Sequence, residues 1–325
     1  MRLFAVVSLF TALVSAYPAR GPCTGDCWTH DPAMIRRESD GKYFRFSTGT
    51  GVNTMTSSAL KGPWTDVGAA LPDGSIITVE GVDSTNIWAP DVHYSGGTYY
   101  MYYVLSELGT QNSRIGVATS TTMEPGSWTD HGGIGLPANS NYNKIDPNWI
   151  EIDGKQYLQF GSYWQDLYQV QMETALKVGS HTPYQLAYNA SLNHREEASF
   201  LYKHGAYYYL FFSDGIAGKY TATYPAAGEE YHISVCRSST GTGNFVDKAG
   251  TSCKESGGTI ILASHNQVYG PGGQGVLTDP NLGPVLYYHY YPLATKNAGG
   301  DGNAGYRYGW NLLEFTNGWP VVTAV

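Results

Sequence analysis

Asp146-Pro147-Asn148-Trp149-Ile150-Glu151-Ile152-Asp153-Gly154-Lys155-Gln156-Tyr157 carries a pattern to which the chain keeps returning. With Asp146 as position zero, a proline follows at plus one, a glycine falls at plus eight, and an aromatic run begins soon after. Ala89-Pro90 fits the same frame, with Gly97 at plus eight and then Tyr99, Tyr100, Tyr102 and Tyr103. So does Glu197-Ala198, with Gly205 at plus eight and then Tyr207 to Tyr209. Asp31-Pro32 fits if two extra residues precede Gly41 and Tyr43, and a looser copy runs from Gly270-Pro271 to Tyr287-Tyr288-His289. Each copy reads as a strand, a tight turn at glycine, and an aromatic strand.

The composition agrees. Of 325 residues, 40 are Gly and 27 Tyr, and only 14% are charged, which suits strands and turns better than helices. No long window holds a helical period between caps. A second frame runs in step with the first: Gly62-Pro63-Trp64-Thr65-Asp66, Gly126-Ser127-Trp128-Thr129-Asp130, Gly243-Asn244-Phe245-Val246-Asp247 and Asn317-Gly318-Trp319. The third unit lacks this motif and shows only Tyr168 to Glu173. Five units of up to four strands predict an all-β, five-bladed β-propeller over residues 17–325 as one domain. The innermost strands of such a fold line one channel, where residues far apart in the chain meet.

Residues 1–16 read as a secretory signal. Arg2 is the positive end, Leu3 to Val14 the apolar run, and Val14-Ser15-Ala16 the small-residue cleavage site. The run is too short to span a bilayer, so the mature protein is expected to be exported, not membrane-bound. Four cysteines in an exported chain point to disulfides rather than zinc. Cys236 and Cys253 flank the expected turn at Gly243-Asn244-Phe245 and are predicted to pair across two strands; Cys23 and Cys27 are close enough for a small local loop, but the sequence leaves their pairing open. Asn189-Ala190-Ser191 is a glycosylation sequon. A net charge of −8 with no basic cluster argues against nucleic acid as partner.

Three copies of the frame put carboxylates, Asp31, Asp146 and Glu197, at position zero. One Asp before proline is an ordinary turn residue. Three acids converging without basic partners are costly unless they do chemistry. Glycoside hydrolysis needs such a set: an acid for the leaving oxygen, a carboxylate for water or for the sugar, and a neighbour to hold the acid's proton. Aromatic faces for sugar rings lie close by at Trp28, Trp88, Trp149 and Trp164.

His30-Asp31-Pro32, Asn86-Ile87-Trp88-Ala89-Pro90-Asp91, Ile145-Asp146-Pro147-Asn148, Gly161-Ser162-Tyr163-Trp164 and Glu197-Ala198-Ser199-Phe200 together resemble glycoside hydrolase family 43, and within it the secreted fungal endo-1,5-α-L-arabinanases. The resemblance covers essentially the whole mature chain. It implies a five-bladed propeller, inverting hydrolysis, Asp31 as general base, Glu197 as general acid, and Asp146 as the residue that orients Glu197 and raises its pKa. Plus-eight spacing favours Glu197 over its neighbour Glu196, and Asp91 reads as structural or as a substrate contact. His30, Trp88, Asn148, Trp149, Ser162 and Trp164 are the expected substrate contacts. The resemblance also points to His289 as ligand of a channel ion, often calcium, with no organic cofactor. In place of the family's Gly-Pro-Gly-His stretch stands Gly270-Pro271-Gly272-Gly273-Gln274-Gly275. The expected substrates are arabinan and arabino-oligosaccharides, and the enzyme is expected to be a monomer. The alternatives are an exo-acting α-L-arabinofuranosidase or β-xylosidase of the same family, and a non-catalytic sugar-binding propeller.

Overall fold

The structure, a computed structural model, describes residues 17–191, 195–218, 224–293 and 305–325. The signal sequence expected over residues 1–16 lies outside them. Five antiparallel sheets follow one another along the chain. Blade 1 comprises Ala33–Arg36, Tyr43–Ser47, Asn53–Ser57 and Thr65–Ala69. Blade 2 comprises Asn86–Ser95, Thr98–Ser106, Ser113–Ser120 and Thr129–Gly133, with the short Gly49–Thr50 added to its inner edge. Blade 3 holds Asn148–Ile152, Lys155–Phe160, Leu167–Gln171 and Tyr184–Ala187. Blade 4 holds Glu197–His204, Tyr207–Asp214, His232–Ser238 and Thr259–Leu262. Blade 5 holds Val268–Asp279, Gly283–Pro292, Arg307–Thr316 and Trp319–Thr323. The expected five-bladed β-propeller is what the chain forms, and its one described helical turn is the 3-10 turn Cys253–Glu255.

Each sheet is apolar on both faces, and each seam between blades holds one apolar cluster. Phe44 and Phe46 meet Met101 and Tyr103 between blades 1 and 2. Tyr102 and Val104 meet Leu158 and Phe160 at the next seam. Tyr157 and Leu186 face Leu210 and Phe212, and Phe211 and Val235 face Leu286 and Tyr288. Met55 and Trp64 close the circle against Tyr287 and Trp310. The chain's abundant Tyr thus serves mainly to fill seams. The N-terminal stretch lies along the last seam. Gly21 N–H donates to Trp310 O at 2.7 Å and Asp26 N–H to Trp64 O at 2.9 Å, and the Cys23–Cys27 disulfide closes the loop between them.

Pairing registers correct the repeat frame. Blade 5 slips a first time across Tyr269/Gly272, and strand pairing then skips across Trp88/Asp91, Glu197/Phe200 and Gly272/Gly275, bulges in blades 2, 4 and 5. Inside each bulge stands a residue in the left-handed region, Ala89 (φ 38°), Ala198 (φ 53°) and Gly273 (φ 55°). Asp31 (φ 47°) and Asp146 (φ 54°) hold the same place in blades 1 and 3, two residues before pairing starts at Ala33 and Asn148. Position zero is therefore Ala198 in blade 4 and Gly273 in blade 5, not Glu197 and Gly270. The count misled because blade 4 has its glycine, Gly205, at the first place of the turn, where blade 2 has Gly96 and not Gly97. Glu197 stands one place earlier, level with Trp88 and Gly272.

The Cys236–Cys253 disulfide is present, with Cα atoms 6.6 Å apart, but it does not join two strands. Cys253 lies in the 3-10 turn, while Cys236 lies in a strand of blade 4. The outer strand of that blade is Thr259–Leu262 rather than the expected stretch after Phe245.

Candidate active site

The central cavity is lined by positions zero, plus one and plus two of the blades. Asp31, Asp146 and Asp91 open onto it together with Asn148, Gln274 and Tyr287. A ring of inter-blade hydrogen bonds fixes this rim. Thr48 Oγ1 accepts from Ala89 N–H at 2.9 Å, and Asp91 Oδ2 accepts from Trp149 N–H at 2.9 Å. Asp146 Oδ2 accepts from Ala198 N–H at 3.0 Å, and Ser213 Oγ accepts from Gly273 N–H at 3.0 Å. His289 Nδ1 accepts from Asp31 N–H at 3.1 Å, which closes the circle. Four of these bonds satisfy the N–H of the kinked residue at position zero, and the one to Asp91 satisfies Trp149 N–H on the inner edge strand of blade 3.

Asp31 has a side chain 25% exposed, with Thr48 Oγ1 donating to Oδ2 at 2.9 Å. Burial works to raise its pKa. His30, the hydrogen bond and charge of His289, and Thr48 outweigh burial and hold Asp31 well below the ordinary carboxylate range. Burial pushes His30 itself down to about 4, so at neutral pH it is uncharged and the Thr48 hydroxyl remains as donor. Asp31 is thus an ionised carboxylate aimed into the cavity.

Glu197 answers it from blade 4, which is not adjacent to blade 1. Ser162 Oγ donates to its Oε2 at 2.6 Å and Tyr231 OH to its Oε1 at 2.8 Å. Its pKa is raised, first by burial and then by Asp31, against the pull of the two hydroxyls. Asp146 is raised well above the ordinary range by burial first, then by the charges of Glu197 and Asp31. The raised pKa expected for Glu197 has burial as its leading cause, not Asp146, which stands higher still.

Glu196 points away from this group. It is 1% exposed and pushed well above the ordinary range by burial, then by Asp166 and Asp214. Glu197, not Glu196, is the carboxyl that stands with Asp31 and Asp146, although the spacing that suggested it belongs to Ala198.

The expected substrate contacts divide. His30 stacks on Tyr306 at 4.7 Å beside Asp31. Trp88 is half-buried, with Nε1 donating to Asn86 Oδ1 at 3.1 Å, at the place in its blade that Glu197 holds in blade 4. Trp164 is half-buried on the loop after Ser162, where Tyr163 and Trp164 both have φ 54°, a strain typical of functional loops. Three others are already engaged within the protein. Asn148 is spent between blades, its amide donating to Asp91 Oδ1 at 3.3 Å and its Oδ1 accepting from Leu201 N–H at 2.8 Å. Trp149 stacks on His93 at 3.8 Å in the seam, because strand alternation turns it away from Asn148's face. Ser162 holds the acid. Asn189, the expected glycan acceptor, is 6% exposed and its Nδ2 donates to Asp214 Oδ2 at 3.0 Å, so the folded chain has no place for a glycan there.

Sequence reasoning missed Thr48 and Tyr231, which carry no motif and sit in no repeat position. The residues beside Asp31 also suit one ion. His289 is 1% exposed, and its Nε2 has no partner among the described residues. In the tautomer that turns Nδ1–H to Asp31 Oδ1, at 3.4 Å, the Nε2 lone pair is free for a metal. His30, Asp31 and His289 bring ligand atoms within 4.8 Å of one another.

Comparison with known proteins agrees with this geometry. The sequence profile of glycosyl hydrolases family 43 matches residues 25–320. An Aspergillus niger protein named "Probable arabinan endo-1,5-alpha-L-arabinosidase C" is 60% identical over 98% of this chain and 98% of its own length. The crystal structure of an exo-1,5-alpha-L-arabinanase from a bovine ruminal metagenomic library is 31% identical with a TM-score of 0.78, covering 91% of this chain and 96% of that one. A Cellvibrio cellulosa alpha-L-arabinanase, solved in complex with arabinohexaose, is 26% identical with a TM-score of 0.76, covering 91% of this chain and 95% of its own.

Proposed function

This chain belongs to glycosyl hydrolase family 43, and on that footing we propose that its channel cuts α-1,5-linked arabinofuranose chains with inversion, Asp31 acting as base and Glu197 as acid. The protein is an endo-1,5-α-L-arabinanase, a hydrolase acting on arabinan and its oligosaccharides. One observation carries the division of labour. Three half-buried carboxyls meet at the channel, and their surroundings hold Asp31 ionised while raising the pKa of Glu197 and Asp146. Asp31 takes a proton from water, and the oxygen attacks the anomeric carbon. Glu197 gives its proton to the leaving oxygen on the opposite side of the sugar. Inversion leaves room for that water, about 6.5–9.5 Å between carboxyls, and placing the pair in non-adjacent blades suits it. Asp146 grips Ala198 N–H, so it orients the residue beside the acid, and the charge of Glu197 helps to raise the pKa of Asp146. His289 would hold the ion described above, whose fixed positive charge favours the ionised form of Asp31. Two disulfides support an oxidising, extracellular setting.

Digestion of linear arabinan tests the reading. A ladder of oligomers and an inverted anomer in the first product's proton NMR are expected. Asp31→Ala should lose nearly all turnover on every substrate. Glu197→Ala should lose far less on an aryl glycoside, whose leaving group needs no proton. Monosaccharide as sole product would move the activity to exo action, and a retained anomer would overturn the acid and base roles.

A further inference from the structure

Both carboxyl oxygens of Glu197 accept from hydroxyls, and the two donors have different origins. Ser162 bridges to Glu197 along the backbone, so its hydroxyl is a local neighbour. Tyr231 comes from 34 residues away, just before the third strand of blade 4. It is 2% exposed, and its ring stacks on His289 at 5.9 Å and 10°. Room for the ring is made by a glycine, since a Cβ on Gly272 would run into Tyr231 Cε1. Gly272 holds the bulge place that carries Trp88 in blade 2 and Glu197 in blade 4. Blade 5 thus forgoes a channel side chain, and the phenol of Tyr231 takes up that space. Burial first, then Glu197, Asp146 and Asp31, keep the phenol protonated far above its ordinary range.

We propose that Tyr231 is a positioning residue for the general acid, fixing Glu197 Oε1 and stabilising the carboxylate that forms as the acid gives up its proton. This rests on Glu197 being that acid. In the step, the Glu197 O–H bond breaks while an O–H bond forms to the leaving oxygen and the glycosidic C–O bond breaks. Negative charge then appears on a carboxyl whose two oxygens already face O–H donors. Hydrogen bonds to an ionised acceptor are about twice as strong as neutral ones, so the Tyr231 contact tightens in the transition state. Nothing has to reorganise, because the ring is clamped before substrate arrives.

Tyr231→Phe removes the hydroxyl and keeps the stack. On linear arabinan its kcat should fall ~10- to 100-fold with KM little changed. On an aryl arabino-oligosaccharide with a 4-nitrophenolate leaving group the fall should be under ~3-fold, since the acid is not needed there. For arabinan, the alkaline limb of kcat/KM should move to higher pH, because a donor to the charged form of Glu197 is gone. Equal losses on both substrates, no loss, or a variant that fails to fold would overturn the proposal in favour of a structural role. Glu197→Ala run beside it separates the two claims: if that variant loses equally on both substrates, it is the acid assignment that fails.

Discussion

His289 shows how one side chain can serve two states. Its Nδ1 accepts from Asp31 N–H at 3.1 Å as the chain stands, and the same atom lies 3.4 Å from Asp31 Oδ1. With Nδ1 as acceptor, Nε2 carries the proton. With an ion on Nε2, Nδ1–H turns to the carboxylate and braces the base. An orphaned, buried Nε2 is costly to keep unless something uses it. Chelation and His289→Ala should therefore each lower kcat on arabinan and the melting temperature, and calcium should restore the chelated enzyme but not the variant. If neither treatment changes either quantity, His289 is only a packed ring between Tyr231 and Tyr306.

Strand starts do the work at the next scale. Five inner strands begin with a left-handed kink, a conformation that costs L-residues energy and is tolerated best by Asp and Gly. The kink frees backbone N–H groups from their own sheets, and the seam bonds capture them. Thr48 is the clearest case, since its one oxygen accepts from Ala89 N–H in blade 2 and donates to Asp31 in blade 1. Thr48→Val keeps the shape but strands a buried N–H and takes a donor from the base. It should cost about 1–3 kcal/mol in urea unfolding and lower kcat as well, with Thr48→Ser restoring both. A stable, fully active valine variant would show that the seam bond does not matter.

Across the whole molecule, burial of carboxyls sets the pH response of stability. Burial pushes Asp91 and Asp166 up to about 7 each, against bonds from Trp149 and Asn148 to the first and from Asn189 to the second. Glu196, Asp146 and Glu197 shift the same way, again with burial as the first cause. All five bind protons more tightly folded than unfolded, where carboxyls titrate near 4. The contribution of Asp91 and Asp166 is complete below about pH 4 and is lost as pH rises through about 7, and the other three act in the same direction. The depressed groups Asp31 and Asp40 act outside this window, because their contributions fade only in stronger acid. Melting temperature should therefore fall from pH 4.5 to 8, and Asp91→Asn should flatten part of that fall. A level or rising curve would show that these carboxyls are solvated well enough to ionise in the folded chain.

Blade number, fold class and the Cys236–Cys253 pair were legible because they rest on short-range chemistry. Alternation, turn glycines and aromatic runs repeat five times, and the half-cystines are the chain's only four cysteines. Asp31 and Asp146 were legible for the same reason, since a kinked strand start favours Asp before proline. The rest was decided only by folding. Bulges absorb residues without a sequence mark, so Glu197 was found by a count that belongs to its neighbour. Strand alternation alone could not say that Trp149 faces a seam or that Asn148 is spent on two other blades. Thr48, Tyr231 and the glycine that makes room for its ring have no local signature at all. Their roles exist only once blades 1, 4 and 5 close around one channel, where each side chain's meaning is set by partners dozens to hundreds of residues away.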